Sequence, residues 1–410
     1  MNYVIIGNSA AAIGAIEGIR AYDKDGSVTL ISDEKYFTYS RPLISYWLKN
    51  SVTDENMKYR DPDFYEKNNV TTMLGETVTA ISANEKTVTT ASGKTIAFDK
   101  LLCATGSKPF VPKTEGYEKV KNVFTFMKFD DAKAIKEVLT ADSKVLIVGA
   151  GLIGLKAAEA VHEYTENITV IDLADRILSS ILDEDAAKIM QTHISDKGVT
   201  FKLGTSVKVF SENSAELQNG ETVDFDILIM AVGVRPNTEL VSAAGGKVNR
   251  GIITDKTQLV DGLKDIYAAG DCTESIDITT GDSKILALLP NAFLQGEVAG
   301  KNMAGNLCYY VNAIPMNAIG FFGLHIITAG SYTGDTYVVT DGENYKKLIT
   351  KDDKLVGFIL MGDVDRAGIY TSLIKEHIAL SECNFDLLKD KPLMAAFSKI
   401  RRNKKLAESH

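Results

Sequence analysis

Two short segments of this chain have the residue types and spacing to hold a negatively charged ligand. Gly149-Ala150-Gly151-Leu152-Ile153-Gly154 carries glycine at every fixed position of a GxGxxG pattern. It follows the apolar run 144–148 and opens a stretch of helical composition. Small residues at these positions let backbone N–H groups close on a pyrophosphate at a helix N-terminus. Asp172 ends the next apolar run, 23 residues beyond Gly149. At that distance an acid meets the ribose hydroxyls and repels a 2′-phosphate, which favours NADH over NADPH. Arg176 lies close enough in sequence to keep NADPH compatible.

The second segment opens the chain. The apolar strand from Tyr3 to Ile6 leads into Gly7-Asn8-Ser9-Ala10-Ala11-Ala12, a helix to about Tyr22 and a strand Val28 to Ile31, followed by Asp33 and Glu34. Ser9 and Ala12 stand where the second and third glycines would be. A helix merely capped by Asn8 or Ser9 is the plainer account of this segment alone. A serine-nucleophile elbow would need glycine at Ala11 and is excluded. The two loops begin 142 residues apart, and a second match supports duplication. Residues 92–109 align without gaps to 219–236, with eight of 18 positions identical. Each copy reads as a short meander returning a strand to its parent sheet, and the glycines near its end, Gly106 and Gly233, let the backbone pass close to a nucleotide.

These motifs resemble the two-dinucleotide-binding flavoprotein oxidoreductases, and most of all their NADH:rubredoxin and ferredoxin reductase branch, related to the flavin portion of nitrite reductases. The resemblance implies an α/β fold with two Rossmann-like dinucleotide-binding domains, glutathione-reductase-like, plus a small α+β C-terminal domain. The expected limits are 1–113 with 240–305 for a discontinuous FAD-binding domain, 114–239 for the NAD(P)H-binding domain and 306–410 for the tail. It further implies FAD beside Gly7, Ser9, Ala10, Ala11, Asp33, Glu34 and Val78. Arg41 and Pro42 of the Tyr-Ser-Arg-Pro block lie near the pyrophosphate and flavin, and Ala104-Thr105-Gly106 lies beside FAD. In the run 266–271, Asp271 is implied to hold the ribityl chain, with Gly270 beside FAD. Pro290, Asn291 and Ala292 start a helix whose positive end faces the flavin pyrimidine edge. The second cofactor, NADH, is implied at Gly149, Gly151, Leu152, Ile153, Gly154, Asp172 and Gly233.

The chain departs from that pattern at one pair. Many relatives have Ser-Lys after the Arg-Pro block and a glutamate after GxGxxG, forming an ion pair beside the flavin. Here those positions are Tyr46, after Ser45, and Lys156. Lys156 is accordingly the expected source of positive charge near the flavin. A solvated helix lysine is the alternative.

The remaining composition sets limits. The four cysteines, Cys103, Cys272, Cys308 and Cys383, form no CxxC pair, and none precedes Cys103. A disulfide-exchange or cysteine-nucleophile mechanism is disfavoured. The five histidines show no metal or triad spacing, and no metal site is expected. Net charge is −9 and the pI near 5.3, which argues against nucleic acid as a partner. The longest apolar run, 145–155, is too short to cross a bilayer. The chain enters a strand at Tyr3, which leaves no room for a signal peptide, so a cytoplasmic protein is expected.

Past about Gly305 the tail reads as antiparallel strands at 337–340, 345–350 and 355–361 with a helix at about 365–379. In Ile319-Gly320-Phe321-Phe322-Gly323, either phenylalanine could approach the flavin or be ordinary core. The basic run Lys399-Ile400-Arg401-Arg402-Asn403-Lys404-Lys405 is a solvated terminus or a docking patch for an acidic iron–sulfur protein. With no sulfur relay, electrons should pass directly between flavin and a small iron–sulfur carrier, rubredoxin or ferredoxin, free or as a bound subunit. An NADH oxidase and a non-catalytic nucleotide-binding module are the rival readings, and a homo-oligomer is compatible with all three.

Overall fold

The computed structural model describes residues 1–311, 313–399 and 402–403. The chain divides into two compact units: residues 1–173, 199–276 and 283–313 form the first, and 174–198, 277–282 and 314–410 the second.

The first unit holds two parallel sheets. In chain order its principal strands are β1 (Asn2–Ile6), β2 (Ser27–Ser32), β3 (Val70–Leu74), β4 (Lys100–Cys103) and β5 (Val123–Phe124). They continue with β6 (Val145–Val148), β7 (Ile168–Asp172), β8 (Thr200–Leu203), β9 (Ile227–Met230) and β10 (Ile266–Ala268). One sheet has the order β10-β4-β1-β2-β3, the other β8-β7-β6-β9-β5. The central strands are fully buried, as continuous apolar runs in two-sided parallel sheets should be.

Five helices of this unit matter below: α1 (Ala10–Tyr22), α2 (Ile44–Leu48), α3 (Phe129–Val138), α4 (Leu152–Val161) and, after α5 of the second unit, α6 (Leu289–Met303). Helices α1 and α6 pack backbone to backbone through glycines four residues apart on each. A Cβ on Gly14 or Gly18 would lie 2.2 or 2.4 Å from the carbonyl oxygen of Phe293 or Glu297. One on Gly296 or Gly300 would lie 1.9 or 2.2 Å from that of Ala11 or Ala15.

The repeat seen in the sequence is a structural repeat. The meander strands 95–97, 100–103 and 107–109 recur 127 residues on, at 222–224, 227–230 and 234–236. In each half an aspartate (Asp99, Asp226) accepts the backbone N–H that starts the first strand, from Asn2 and Lys144. The two returning strands, Ser107–Pro109 and Val234–Pro236, pair antiparallel with each other.

The second unit is built on one antiparallel sheet. Its strands are β11 (Met316–Phe321), β12 (Leu324–Gly330), β13 (Asp335–Asp341), β14 (Asn344–Lys351) and β15 (Lys354–Met361), in the order β11-β12-β15-β14-β13. Helix α7 (Ala367–Lys375) covers β15, and α5 (Glu184–Ser195) belongs to this unit as well. The hairpin β11–β12 supplies two strands beyond the three read in the sequence; its turn puts Phe322 at φ 50° and Gly323 at φ 90°. Phe321 is fully buried and serves as core. Asp183 caps α5 by accepting from the Ala186 N–H at 3.1 Å, and also accepts from the Tyr345 hydroxyl and Lys347 Nζ, each at 2.7 Å. Of the basic run, Ile400, Arg401, Lys404 and Lys405 lie outside the described residues.

The α1–α6 contact predicts that Gly296→Ala lowers the unfolding free energy by about 2 kcal/mol or more, because a methyl must displace backbone rather than a mobile side chain. Urea denaturation of the variant checks this.

Candidate functional site

In the first cleft β1 delivers Gly7 at φ 115°, and its N–H donates to the Ile31 carbonyl at 2.8 Å. A Cβ on Gly7 would sit 2.1 Å from the Ala104 carbonyl oxygen, so the loop lies directly on the end of β4. Ser9 stands at the N-cap of α1 in extended conformation, yet its side chain makes no capping bond. Asn8 is engaged elsewhere: it donates to the Tyr36 carbonyl at 3.1 Å and accepts from the Tyr65 hydroxyl. The first-turn N–H groups at Ala10 and Ala11 therefore have no side-chain acceptor, which leaves them to a ligand.

The start of α6 is also without a side-chain cap, and Pro290 sits in its first turn with Asn291 and Ala292 buried behind it. Gly270 joins the two helix starts: a Cβ there would be 3.2 Å from the Ala11 Cβ and 3.6 Å from the Ala292 Cβ. The structure thus brings together Gly7, Ala10, Ala11, Ala104, Gly270 and Ala292. Thr105 and Gly106 are bracketed by Asn237, whose amide donates to the Thr105 carbonyl at 2.8 Å while its backbone N–H donates to Gly106. Asp271 follows Gly270, and burial pushes its carboxyl up while Arg41 opposes the rise. Among the described residues no hydrogen-bond donor of the protein is assigned to that carboxylate.

The two acids after β2 separate. Asp33 is exposed and pairs with Lys128 at 2.6 Å, whereas Glu34 is buried. Glu34 accepts from Arg41 at 2.5 Å and from the Tyr39 hydroxyl at 2.6 Å. Pro42 follows Arg41 in a 3-10 turn that aims the guanidinium back at Glu34. Val78 lies apart from this group: its side chain packs in the apolar cluster with Ile6, Ile31 and Cys103.

The second cleft repeats the first. The Gly149 N–H donates to the Ile171 carbonyl at 2.7 Å, and a Cβ on Gly149 would lie 2.3 Å from the Ala231 carbonyl oxygen, the equivalent of Ala104. Gly151 is the N-cap of α4, makes no side-chain cap, and faces open space where a Cβ would be. Leu152 and Ile153 form the first turn, and Gly154 packs against the Gly149 carbonyl, which a Cβ would meet at 1.9 Å. Asp172 accepts from the Ala150 N–H at 2.6 Å and so lies across the mouth of this loop. Gly233 ends the second meander at φ 136°, also open on its Cβ side.

Between the clefts, α2 meets α3 and α4. The Lys156 ammonium donates to Glu159 at 2.5 Å, and Lys49 donates to the same carboxylate at 3.0 Å. Both ammonium groups lie over the Tyr46 ring, at 4.7 and 4.9 Å from its centre. Lys156 is therefore a paired, mostly buried lysine at the seam, not a solvated one, and it lies over Tyr46. Sequence reasoning missed Glu159 and Lys49, which sit one helical turn beyond the pair it singled out, and that spacing was the available signal. It also passed over the role of Gln295, whose buried amide accepts from the Gly270 N–H at 2.6 Å and donates to Ser275 at 2.6 Å.

Cys103 and Cys272, remote in sequence, are neighbours: Cys272 Sγ lies 3.5 Å from the Cys103 carbonyl oxygen. Both are buried, and burial pushes both thiols up, so neither is poised as a thiolate. Among the described residues there is no group of three or more metal-ligating side chains and no helix long and apolar enough to cross a membrane.

Two glycine loops, each on a parallel sheet and each opening an uncapped helix, define a protein that holds two dinucleotides. Residues 1–296 match the pyridine nucleotide-disulphide oxidoreductase family, and residues 315–378 match the rubredoxin NAD+ reductase C-terminal domain. The chain belongs to the pyridine nucleotide-disulphide oxidoreductases, and is an oxidoreductase whose cofactors are FAD and NAD(H). It is 29% identical over 385 residues to the NADH-dependent phenylglyoxylate dehydrogenase subunit epsilon of Aromatoleum evansii, covering 91% of each chain. It is 31% identical over 386 residues to an assimilatory nitrate reductase electron transfer subunit of Bacillus subtilis, covering 91% of this chain but only 49% of that one. Among solved structures, the covalent putidaredoxin reductase–putidaredoxin complex superposes with a TM-score of 0.87 at 23% identity, covering 96% of this chain and 97% of that one, which shows the shared fold.

Burial pushes the Glu159 carboxyl up, but hydrogen bonds from Lys156 and then Lys49 outweigh it and hold it below the usual carboxylate range. Its contribution to stability is thus present above the ordinary glutamate value and lost as pH falls through the lower folded value. The difference in urea midpoint between wild type and Glu159→Gln should be largest near about pH 6 and shrink towards about pH 3. A difference that grows on acidification would contradict this assignment.

Proposed function

We propose that the chain passes hydride between NADH and FAD and exchanges the electrons with a small iron–sulfur carrier of the rubredoxin or ferredoxin class, free or as a bound subunit. FAD takes the segments 1–113 and 240–305, NADH takes 114–239, and 306–410 is a separate α+β domain. The observation that carries this reading is that α1, α4 and α6 start without a side-chain cap directly beside the glycines of the two clefts, Gly7, Gly151 and Gly270. Nitrogen donors left without side-chain partners suit phosphate and carbonyl oxygens.

In this reading the N–H groups after Gly7 and Gly149 hold the two pyrophosphates. Glu34 and Asp172 accept from the ribose hydroxyls, with Arg41 neutralising charge at the first cleft. Asp271, half-buried beside Gly270, accepts from the ribityl chain, and Gln295 fixes Gly270 so that this carboxylate keeps its place. The start of α6 supplies partial positive charge to the ring edge that gains electron density on reduction. FAD, when bound, accepts a hydride and can return its electrons one at a time; the chain supplies alignment and charge.

A one-electron carrier is favoured by the thiols and by the relatives. Cys103 and Cys272 are packed thiols driven towards the neutral form, unsuited to disulfide exchange. The tail matches a domain named for rubredoxin reductase, and the two relatives above are named as subunits. A cytoplasmic setting, where such carriers are reduced, completes the proposal.

Anaerobic stopped-flow tests it. NADH should bleach the bound flavin within the enzyme's turnover time, and subsequent mixing with rubredoxin or ferredoxin should restore the absorbance. Flavin that NADH leaves oxidised, or reduced flavin that neither carrier reoxidises, contradicts the reading.

A further inference from the structure

The chain passes between its two parallel sheets twice, and the two passages are bound to each other. It leaves the first sheet at β4 and reaches the second at β5 by way of residues 107–109. It leaves the second sheet at β9 and regains the first at β10 by way of residues 234–236. The passages lie side by side as an antiparallel pair, with Ser107 opposite Pro236 and Pro109 opposite Val234. Each then crosses to the other's glycine. The Phe110 N–H donates to the Gly233 carbonyl and the Asn237 N–H to the Gly106 carbonyl, both at 2.9 Å.

Those glycines end short segments that lie directly against the two glycine loops. The carbonyl oxygen of Ala104, two residues before Gly106, is 2.1 Å from where a Gly7 Cβ would be. That of Ala231, two residues before Gly233, is 2.3 Å from where a Gly149 Cβ would be. Backbone packed this closely moves together, so a loop that settles on a ligand settles its passage as well.

The symmetry of the crossing ends at its side chains. The Asn237 amide donates to the Thr105 carbonyl at 2.8 Å, and the Thr105 hydroxyl donates back to the Asn237 carbonyl at 2.8 Å. With the backbone bond to Gly106, one residue on the returning passage thus holds Thr105 and Gly106 together. Phe110, at the matching place, has no polar side chain, and the Arg235 guanidinium lies over its ring at 4.0 Å.

We propose that Asn237 is a positioning residue that couples the two nucleotide clefts: a ligand seated on Gly149–Gly154 orders the crossed passages, and Asn237 passes that order to Thr105–Gly106. The inference rests on reading the clefts as sites for FAD and NADH, and it deepens that reading by stating how occupancy of one changes retention in the other. Whichever ligand binds first orders the shared backbone, so the second is held more firmly. No contact between the two cofactor rings is required.

Release of FAD on dilution of the FAD-loaded protein, timed by the rise in flavin fluorescence with and without saturating ADP-ribose, tests this. ADP-ribose has the adenosine, pyrophosphate and second ribose of the dinucleotide but no nicotinamide, so ring-to-ring contact contributes nothing. In wild type it should slow release about fivefold, the low end of coupling between linked sites. Asn237→Ala, and Asn237→Asp, which sets an acceptor against the Thr105 carbonyl, should each abolish the slowing while calorimetry still detects bound ADP-ribose. Lys108→Met removes the exposed ion pair with Glu239 beside the same passages and should keep the wild-type slowing. A merely structural asparagine would speed release alike with and without ADP-ribose. No slowing in wild type, or slowing retained in both Asn237 variants, overturns the coupling; flavin still bleached by NADH in those samples leaves the proposed function standing. ADP-ribose that fails to bind wild type would remove the second cleft as a nucleotide site, and the coupling with it.

Discussion

The close approach of α1 and α6 is the constraint on which the first cleft depends. With Gly14, Gly18, Gly296 and Gly300 in the contact, two helices remote in sequence touch through their backbones. Their starts are thereby fixed on either side of Gly270, whose φ of 88° favours glycine and whose Cβ position is 3.2 Å from Ala11 and 3.6 Å from Ala292. The separation between those starts is set by rigid packing, with Gln295 pinning the intervening turn. Pre-set geometry of this kind lets binding energy go into alignment of the ligand instead of ordering of the protein.

Duplication explains why the second cleft looks so much like the first, and where it stops doing so. Gly7 and Gly149 lie on Ala104 and Ala231 in the same way, and Asp99 and Asp226 tie down equivalent strands. The halves diverge at their acids. Asp172 leans on its own loop through Ala150, whereas Glu34 is bound into Arg41 and Tyr39. Further asymmetry gathers at the seam, where Glu159 draws in one lysine from each side. Cations, one carboxylate and the Tyr46 face make one part of this seam, and Trp47 against Phe129, ring centres 4.9 Å apart, makes another.

Local pattern made both nucleotide sheets readable in advance. Gly149–Gly154 and its downstream Asp172 carry their structure in six residues and one spacing, and the 18-residue repeat reports its own meander through Phe98, Asp99 and their partners. Pairings that depend on distant chain were not readable. Nothing near α5 announces that Asp183 will bind Tyr345 and Lys347, or that His193 will bind Glu343, 150 residues away. The hairpin β11–β12 is not legible as strands because its turn, with Phe322 at φ 50° and Gly323 at φ 90°, interrupts the alternation around it. Cys103 and Cys272 became neighbours only because β4 and β10 lie side by side. Their burial settles their chemistry, which spacing alone could not.

The central claim is that two nucleotide clefts face one another without sulfur taking part. Anaerobic titration of the FAD-loaded protein with dithionite, followed by its visible spectrum, counts the electrons taken up per flavin. Full reduction at two electrons per FAD is the result expected of packed, neutral Cys103 and Cys272. Uptake of four electrons per FAD would show a thiol pair exchanging electrons with the flavin and would contradict the account.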